Sequence, residues 1–174
     1  NNNLIKELSV LYNAYAADKE NPLIPLTVQY KDYSVWQKEN LAGEQFNAME
    51  QYWLSQFANK VRLLELPTGK VRPKVKTFTG DTVSLDLNIH QAQALIALGY
   101  NHNATLFMVL VTMVKAQLFR YTSEEDIVIT TPVSGREHPD LENQVGFYVN
   151  TLALRTKLAA DQEFSSLLAT VRHG

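Results

Sequence analysis

The sequence contains no cysteine, which excludes disulfide bonds and metal sites built from thiolates. It also has little excess charge of either sign, with a formal net charge of −2. This balance argues against nucleic acid or an anionic membrane as the main partner. No internal repeat or low-complexity segment is present. The content of 45% hydrophobic and 20% charged residues is that of an ordinary globular protein with a core.

Long hydrophobic runs are missing as well. The most apolar stretch, residues 106–114, is far shorter than the roughly 18 to 20 residues needed to span a bilayer. The N-terminus has no secretory signal, so we expect a cytoplasmic protein. The first residue is Asn1 rather than methionine, and the chain stops at Gly174 without a clear terminal signal. We therefore expect a fragment of a larger protein.

Local motifs for metal or nucleotide chemistry are also absent. The four histidines are far apart in the sequence, and there is no HExxH, P-loop, dinucleotide-binding glycine pattern or GxSxG elbow. No metal site is predicted. Alternating cations occupy residues 70–76, but no aromatic ladder or binding-motif glycines accompany them. They are more typical of a solvated connector than of a nucleic-acid patch.

The hydrophobic pattern of the first half predicts three helices and a strand. The first helix is expected to begin at Asn3, as its N-cap, and to fade near Ala17. The strand is expected because Val83, Leu85 and Leu87 alternate with polar residues. The second helix is expected at Tyr30–Leu41, the third helix from Glu44 to about Asn59, and the strand at Thr82–Asn88.

The second half predicts two helices, a strand, a long loop, a strand and a helix. The helix over residues 105–121 is apolar nearly all round, so we expect it to be deeply buried. Asn88 and Asp161 are expected to cap the first and last of these helices. The other elements are expected as a helix from Asn88 to about Leu98, a central strand at 126–131, a loop at 132–146 and a strand at 147–156. Separated strands among long helices indicate an α/β layered fold.

Two polar features interrupt this pattern. Asn150 lies in an otherwise apolar strand, where a buried amide needs hydrogen-bond partners or costs about a few kcal/mol. It either ties down neighbouring backbone or faces a polar cavity, and the residues alone favour the first interpretation. The second feature, Tyr30, Asp32, Tyr33 and Trp36, is interpreted as a packing cluster in which Asp32 can cap the second helix.

Two segments resemble core motifs of the condensation domains of nonribosomal peptide synthetases. Residues 30–36, YKDYSVW, are similar to the fourth motif, YxDYAVW. Residues 145–155, VGFYVNTLALR, are similar to the fifth, VGxFVNTxxxR. The stretches 64–68, 125–129 and 132–136 also look like the family, with Thr130 where a glycine is common and Gly69 where an aspartate is common. The motif or structural residues are Tyr30, Asp32, Tyr33, Trp36, Gly146, Phe147, Val149, Thr151 and Arg155.

The resemblance implies an incomplete α/β lobe similar to chloramphenicol acetyltransferase, with a mixed sheet flanked by helices. Condensation domains have two such lobes around a tunnel, and residues 1–174 would be part of the C-terminal lobe. The family's HHxxxDG motif would lie upstream and its last core motifs downstream. No catalytic residue is therefore expected in this chain, which we expect to be inactive alone. The implied tunnel or active-site wall residues are Asn150, Tyr148, Ser134 and Arg136.

The implied reaction forms an amide bond between aminoacyl or peptidyl thioesters in antibiotic and other secondary-metabolite biosynthesis. No cofactor is expected to bind this chain directly, because the phosphopantetheine of partner carrier proteins holds the substrates. The implied partners are the N-terminal lobe of the same domain, donor and acceptor peptidyl carrier proteins and an adjoining adenylation domain. An exposed apolar face is expected to make the isolated chain self-associate.

Several alternatives remain open at the level of sequence. A heterocyclization, epimerization or acyltransferase relative would share the fold, although the segment at 147–155 favours condensation over epimerization. A different class is a non-catalytic module that binds a carrier protein with the same lobe. The residues immediately before Asn1 would separate these hypotheses, since they would carry HHxxxDG, an aspartate-rich motif or a degenerate sequence.

Overall fold

The computed structural model of the chain describes residues 2–69, 73, 75 and 77–174. The four cations predicted to form a basic connector lie outside these residues. Within the described part the α/β class is confirmed. Its helices are α1 (Asn2–Ala16), α2 (Tyr30–Leu41), α3 (Glu44–Gln56), α4 (Ile89–Asn101), α5 (Leu106–Thr122), α6 (Phe164–His173) and a short 3-10 helix (Pro139–Leu141), and its strands are β1 (Asp126–Ser134) and β2 (Val149–Lys157).

The chain divides into two compact units. The first unit contains residues 1–59 and 131–152, and the second contains residues 60–130 and 153–174. The division falls within both strands, so each unit receives one half of β1 and one half of β2. The two segments that resemble family motifs fall mainly in the first unit.

β1 and β2 form an antiparallel pair. The N–H of Gly135 donates to the carbonyl of Tyr148 at one end (2.8 Å), and the N–H of Leu158 donates to the carbonyl of Glu125 at the other (2.7 Å). Both bonds fit one uninterrupted register. Among the described residues, the expected mixed sheet is represented by this pair. β1 was expected to be a central strand with a neighbour on each side, but it has one neighbour there, β2.

The strand predicted at residues 82–88 is wrong. This segment has no regular secondary structure, and Val83 and Leu85 are 96% and 86% exposed. An alternating pattern makes a strand only where another strand supplies hydrogen bonds and a core covers the apolar face. Neither condition is met by the part of the chain that the structure describes.

The cap of α4 behaves as predicted, whereas the N-cap residue of α2 is Gln29 and Asp32 contributes as the third residue of the helix. The Asn88 side chain accepts a hydrogen bond from the N–H of Gln91 (2.9 Å), and the Gln91 side chain accepts one from the N–H of Asn88 (3.0 Å). This reciprocal capping box begins α4. α2 has the predicted bounds, and the Asp32 carboxylate accepts from the N–H of Gln29 (2.9 Å).

Two other predicted caps are wrong. Asn3 lies inside α1, and its amide nitrogen donates to the backbone carbonyls of Glu142 and Gln144. A side chain already bonded to a distant segment cannot also cap its own helix. Glu163, rather than Asp161, is the N-cap residue of α6.

α5 is buried on one face rather than all round. Its buried residues are Val109, Val111, Thr112 and Lys115, and α4 and α6 pack against the helix. Leu106, Phe107, Leu110, Met113 and Val114 are instead between 39% and 52% exposed. The prediction of deep burial is therefore wrong, because a uniformly apolar sequence cannot indicate which of its faces has neighbours.

The exposed apolar surface expected from the resemblance is present. On α1, Leu4, Ile5, Leu8, Tyr12 and Tyr15 are between 53% and 71% exposed, in addition to the open face of α5. Surfaces of this kind favour association, and self-association of the isolated chain stays a prediction.

Within the described ranges, no single helix is long and apolar enough to cross a membrane. α4 and α5 meet that requirement only as a pair, and the pair is bent by 99°.

Lys115 places a cation inside the second unit. It is 1% exposed, and its Nζ donates to the carbonyl of Leu154 (3.0 Å) and to Oγ1 of Thr156. Both acceptors are neutral, and no carboxylate of the described residues forms an ion pair with this ammonium. Burial disfavours the charged form and lowers the pKa of Lys115 from 10.5 to about 8.

This pKa shift predicts a pH-dependent stability. Between pH 8 and pH 10.5 the unfolded chain binds a proton at Lys115 that the folded chain has lost. The free energy of unfolding therefore rises with pH through this window. Lys115→Met removes the titrating group. Between pH 7 and pH 10.5 the free energy of unfolding of wild type should therefore rise by up to about 3 kcal/mol relative to that of the variant. Denaturant unfolding over that range measures the difference.

Thr112→Val is the matched control, because Thr112 is buried on the same helix and does not titrate. Its stability difference from wild type should stay constant over the same pH range. A difference between Lys115→Met and wild type that is equally flat would contradict the prediction.

Candidate functional site

The two segments that resemble family motifs meet in the first unit. Tyr33 of α2 and Tyr148, which precedes β2, are 6% and 5% exposed and pack with Leu141. The ring centroids of Tyr33 and Tyr148 are 4.7 Å apart, and Tyr30 meets Tyr148 edge-on at 5.3 Å. We call Tyr30, Tyr33 and Tyr148 the aromatic cluster. Trp36 adjoins it at 5.9 Å from Tyr33 but is 50% exposed.

Each hydroxyl of the aromatic cluster has a partner. Tyr30 donates to the carbonyl of Phe147 (3.0 Å), and Tyr148 donates to Oε1 of Gln144. The Tyr33 hydroxyl accepts a hydrogen bond from Nε2 of Gln37 (3.0 Å). These contacts agree with the interpretation of Tyr30, Tyr33 and their neighbours as a packing cluster.

Burial also governs the titration of the two inner tyrosines. Burial raises the pKa of Tyr33, and the nearby Glu137 and Tyr30 raise it further. Burial likewise raises the pKa of Tyr148, although the Arg136 cation opposes the change. Both hydroxyls therefore stay protonated at neutral pH and remain able to donate hydrogen bonds.

Arg136 is part of the same structure. Its Cζ lies 4.0 Å from the centroid of the Tyr148 ring, within the range of a cation–π contact. Its Nη1 donates to the carbonyl of Leu141, and its Nη2 donates to the carbonyl of Gln144 (2.9 Å). The guanidinium thereby ties together the loop formed by residues 135–148, which we call the connecting loop.

Gln144 was missed by the sequence reasoning. It is 1% exposed, and its Nε2 donates to the carbonyls of Val28 (2.6 Å) and Asp140 (3.2 Å) while its Oε1 accepts from Tyr148. A signal was available, because the fifth-motif pattern has phenylalanine where this chain has Tyr148. A tyrosine at a buried position brings a hydroxyl that needs a partner.

Two glycines allow the close packing of the aromatic cluster. A Cβ at Gly146 would overlap the Tyr30 ring and lie 2.8 Å from Cε2 of Tyr148. A Cβ at Gly135 would lie 2.8 Å from the carbonyl oxygen of Tyr148. The glycine of the fifth motif is thus required at residue 146 by the neighbouring rings.

Asn150 is placed differently from its sequence-based prediction. It is exposed at the start of β2, and its Oδ1 accepts from the N–H of Thr151 (2.8 Å). The assumption of a buried amide is therefore wrong. β2 runs beside β1, but its first three residues have no covering element among the described residues, and Val149 is 52% exposed.

Ser134 lies at the same end of the strand pair as Asn150. It is the exposed last residue of β1, next to the bond between Gly135 and Tyr148 that closes the connecting loop. The four predicted wall residues therefore separate into two groups. Ser134 and Asn150 are exposed at the strand ends, whereas Tyr148 is buried and Arg136 half-buried within the loop.

Arg155 of the fifth motif lies in the second unit. Its Nε and Nη2 donate to the two carboxylate oxygens of Asp126, with Nε 2.8 Å from Oδ1. This hydrogen bonding is the main cause that lowers the pKa of Asp126. The Arg155 side chain is only 8% exposed, so this ion pair joins β1 and β2 through a cation that is largely shielded from water.

In the ranges that the structure describes, no group of three or more histidine, cysteine, aspartate or glutamate side chains could hold a metal ion. What the site offers is a buried polar and aromatic centre next to strand ends that carry two exposed polar side chains.

The fold and this site define an α/β domain in which a helix motif and a strand motif share one packed centre. The family model described as "Condensation domain" matches residues 2–174, and the chain belongs to this family. Malpibaldin synthetase of Mortierella alpina is 42% identical over 169 residues, which is 97% of this chain and 3% of that protein. The chain spans between 2% and 6% of the length of the curated relatives it matches.

Solved structures agree with this assignment. The teicoplanin-biosynthesis X-domain, solved in complex with OxyB, has a TM-score of 0.90 at 25% identity, over 99% of this chain and 39% of that one. The first condensation domain of the CDA synthetase has a TM-score of 0.76 at 23% identity, over 98% and 38% of the two chains. The second likeness shows the fold alone, and the predicted fold family is confirmed.

The packing around Gly146 generates a prediction. Gly146→Ala should lower the free energy of unfolding by about 1 to 3 kcal/mol, because the added methyl group must displace the Tyr30 or Tyr148 ring. Gly80→Ala is the matched control, since nothing lies within 4 Å of a Cβ built there. Thermal and denaturant unfolding of both variants tests the prediction, and equal effects of the two substitutions would show that the rings do not require glycine.

Proposed function

We propose that this chain is part of the C-terminal lobe of a condensation domain that forms an amide bond between two carrier-bound substrates. The observation that carries the proposal is the family match over residues 2–174, in which both motif segments are present and meet in the aromatic cluster. The proposed substrates are thioesters held on the phosphopantetheine of a donor and an acceptor carrier protein.

The proposed reaction balances without a redox partner. The amine nitrogen of the acceptor attacks the carbonyl carbon of the donor thioester, the new C–N bond forms, and the C–S bond breaks. The donor phosphopantetheine leaves as a thiol, with a proton that comes from the amine. Because a thioester is already activated, holding the two substrates in line supplies much of the rate enhancement.

The chain itself is proposed to supply shape rather than the catalytic group. HHxxxDG does not occur in its 174 residues, so in this proposal the histidine comes from outside it. Asn150 is the wall residue we assign to the substrate side, because it is an exposed polar side chain at the end of the strand pair. Ser134 lies at the same end but opposite Val149, so we assign it to the other face of the pair. Tyr148 and Arg136 are assigned to holding the connecting loop.

The surroundings of Asn150 support a covered position in an intact domain. Phe147 is 77% exposed and Val149 is 52% exposed on either side of the loop closure. Apolar side chains left this open are typical of surfaces that pack against a partner. We propose the N-terminal lobe as that partner. The other proposed partners are carrier proteins and an adjoining adenylation domain, and the proposed location is the cytoplasm.

A second candidate function is a non-catalytic recruitment module. The likeness to the teicoplanin X-domain, with a TM-score of 0.90, favours it, because that structure is a complex with another protein, OxyB. Under this hypothesis the same fold would bind a partner without forming an amide.

An amide-forming assay separates the two functions. A condensation domain that combines this chain with an HHxxxDG lobe should produce a dipeptidyl thioester from loaded donor and acceptor carrier proteins, detected by mass spectrometry. The 174-residue chain alone should give only the uncatalysed background. Carrier-protein binding without product in the intact domain would favour the recruitment module, and product from the chain alone would refute the assignment of catalysis to a group outside it.

The assignment of Asn150 to the substrate side gives a further prediction. Asn150→Ala in the intact domain should lower the condensation rate at saturating carrier protein on the order of 10- to 100-fold, because a misplaced substrate loses alignment. The melting temperature should hardly change, since among the described residues the Asn150 amide bonds only to its neighbour Thr151. Single-turnover kinetics and thermal unfolding measure the two quantities.

Asn47→Ala is the matched control for this substitution, because it removes an exposed amide from α3. It should leave the rate unchanged. A large fall in the melting temperature of Asn150→Ala, with normal turnover of the folded fraction, would instead make Asn150 a structural residue.

A further inference from the structure

Gln144 connects three separate segments of the first unit through one side chain. Its Nε2 reaches the carbonyl of Val28 before α2 (2.6 Å) and the carbonyl of Asp140 in the short 3-10 helix (3.2 Å). Its Oε1 accepts from the Tyr148 hydroxyl. With 1% exposure, it is closed to any substrate and can act only through the residues it holds.

Tyr148 transmits this constraint to the strand ends. Its hydroxyl is held by Gln144, and its carbonyl accepts from the N–H of Gly135 (2.8 Å). Tyr148 is followed directly by β2, which begins at Val149, and Gly135 follows Ser134, the last residue of β1. The position of the Tyr148 ring therefore fixes how the two strands end.

We propose that Gln144 is a positioning residue that sets the strand ends carrying Ser134 and Asn150 for the condensation reaction. The inference rests on the proposed function and adds to it a residue that touches no substrate. A simpler role, in which Gln144 only stabilises the fold, predicts that its loss weakens every part of the domain alike. The two roles therefore differ in where the effect of a substitution is felt.

Amide hydrogen exchange in the intact condensation domain tests the structural part of the inference. Gln144→Met keeps a side chain of similar size but cannot hold the Tyr148 hydroxyl. It should speed exchange at Gly135 about tenfold, the size expected for one lost buried hydrogen bond. The N–H of Leu158, which bonds to Glu125 at the other end of the strand pair (2.7 Å), is the internal reference and should exchange at the wild-type rate. Equal acceleration at both ends would overturn the proposal.

A second variant keeps the test informative if Gln144→Met folds poorly. Tyr148→Phe removes only the hydroxyl, and it should accelerate exchange at Gly135 in the same direction. The double variant Gln144→Met/Tyr148→Phe should be affected less than the product of the two single effects, because no buried hydroxyl is left without an acceptor. Purely multiplicative effects would show that the two residues are not coupled.

Kinetics then test the link to the reaction. Gln144→Met should lower kcat about tenfold with unchanged KM for the carrier proteins. The double variant Gln144→Met/Asn150→Ala should have a kcat no lower than that of Asn150→Ala alone. Val109→Ala is the destabilised control, because Val109 is buried in the second unit. It should lower the melting temperature and keep the kcat of the folded fraction.

The outcomes distinguish this inference from the proposed function. A wild-type domain that forms no amide would refute the proposed function and with it the catalytic role of Gln144. The exchange data would still decide whether Gln144 sets the strand ends. An active wild type with normal kcat for Gln144→Met, or with multiplicative losses in the Gln144 and Asn150 double variant, would overturn the positioning role and leave the proposed function standing.

Discussion

The packing of the first unit depends on satisfying polar groups that its aromatic residues bury. Tyr33 and Tyr148 can lie together at 4.7 Å only because their hydroxyls have partners and because Gly146 leaves room for the neighbouring rings. An unpaired hydroxyl at such a depth would cost about 1 to 3 kcal/mol. The amides of Gln37 and Gln144 remove that cost, and Arg136, which donates to the carbonyls of Leu141 and Gln144, gives the connecting loop a defined conformation.

The second unit solves a related problem with charge. Arg155 belongs to β2 and Lys115 contacts this strand from α5, so both place a cation there. Their surroundings differ. Arg155 faces the carboxylate of Asp126, whereas Lys115 has only neutral oxygens. A paired cation keeps its charge because the carboxylate offsets the cost of burial, while a cation among neutral acceptors titrates nearer to neutral pH. The same strand is therefore held by one contact that weakens only in acid, when Asp126 takes up a proton, and by one whose charge is lost as the pH rises above about 8.

Local patterns predicted those parts of the fold that local forces determine. The bounds of α2 and the cap of α4 could be predicted because the stabilising groups lie within three residues of each other. The strand at 82–88, the full burial of α5 and the burial of Asn150 could not, since each depends on which other segment lies alongside. The motif residues were found from the family pattern, but Gln144 was not, because its importance follows from a hydroxyl 4 residues away and from the backbone carbonyl of Val28, which is 116 residues away.

The contact between α2 and the fifth motif has a consequence for recombination between related domains. Tyr30 donates to the carbonyl of Phe147, 117 residues further along the chain, and its ring occupies the space beside Gly146. A crossover between these positions would join a tyrosine from one parent to a loop from the other. Such a hybrid can pack only if the second parent also leaves that space empty, so a crossover within this span requires the glycine of the fifth motif in the parent that supplies the loop.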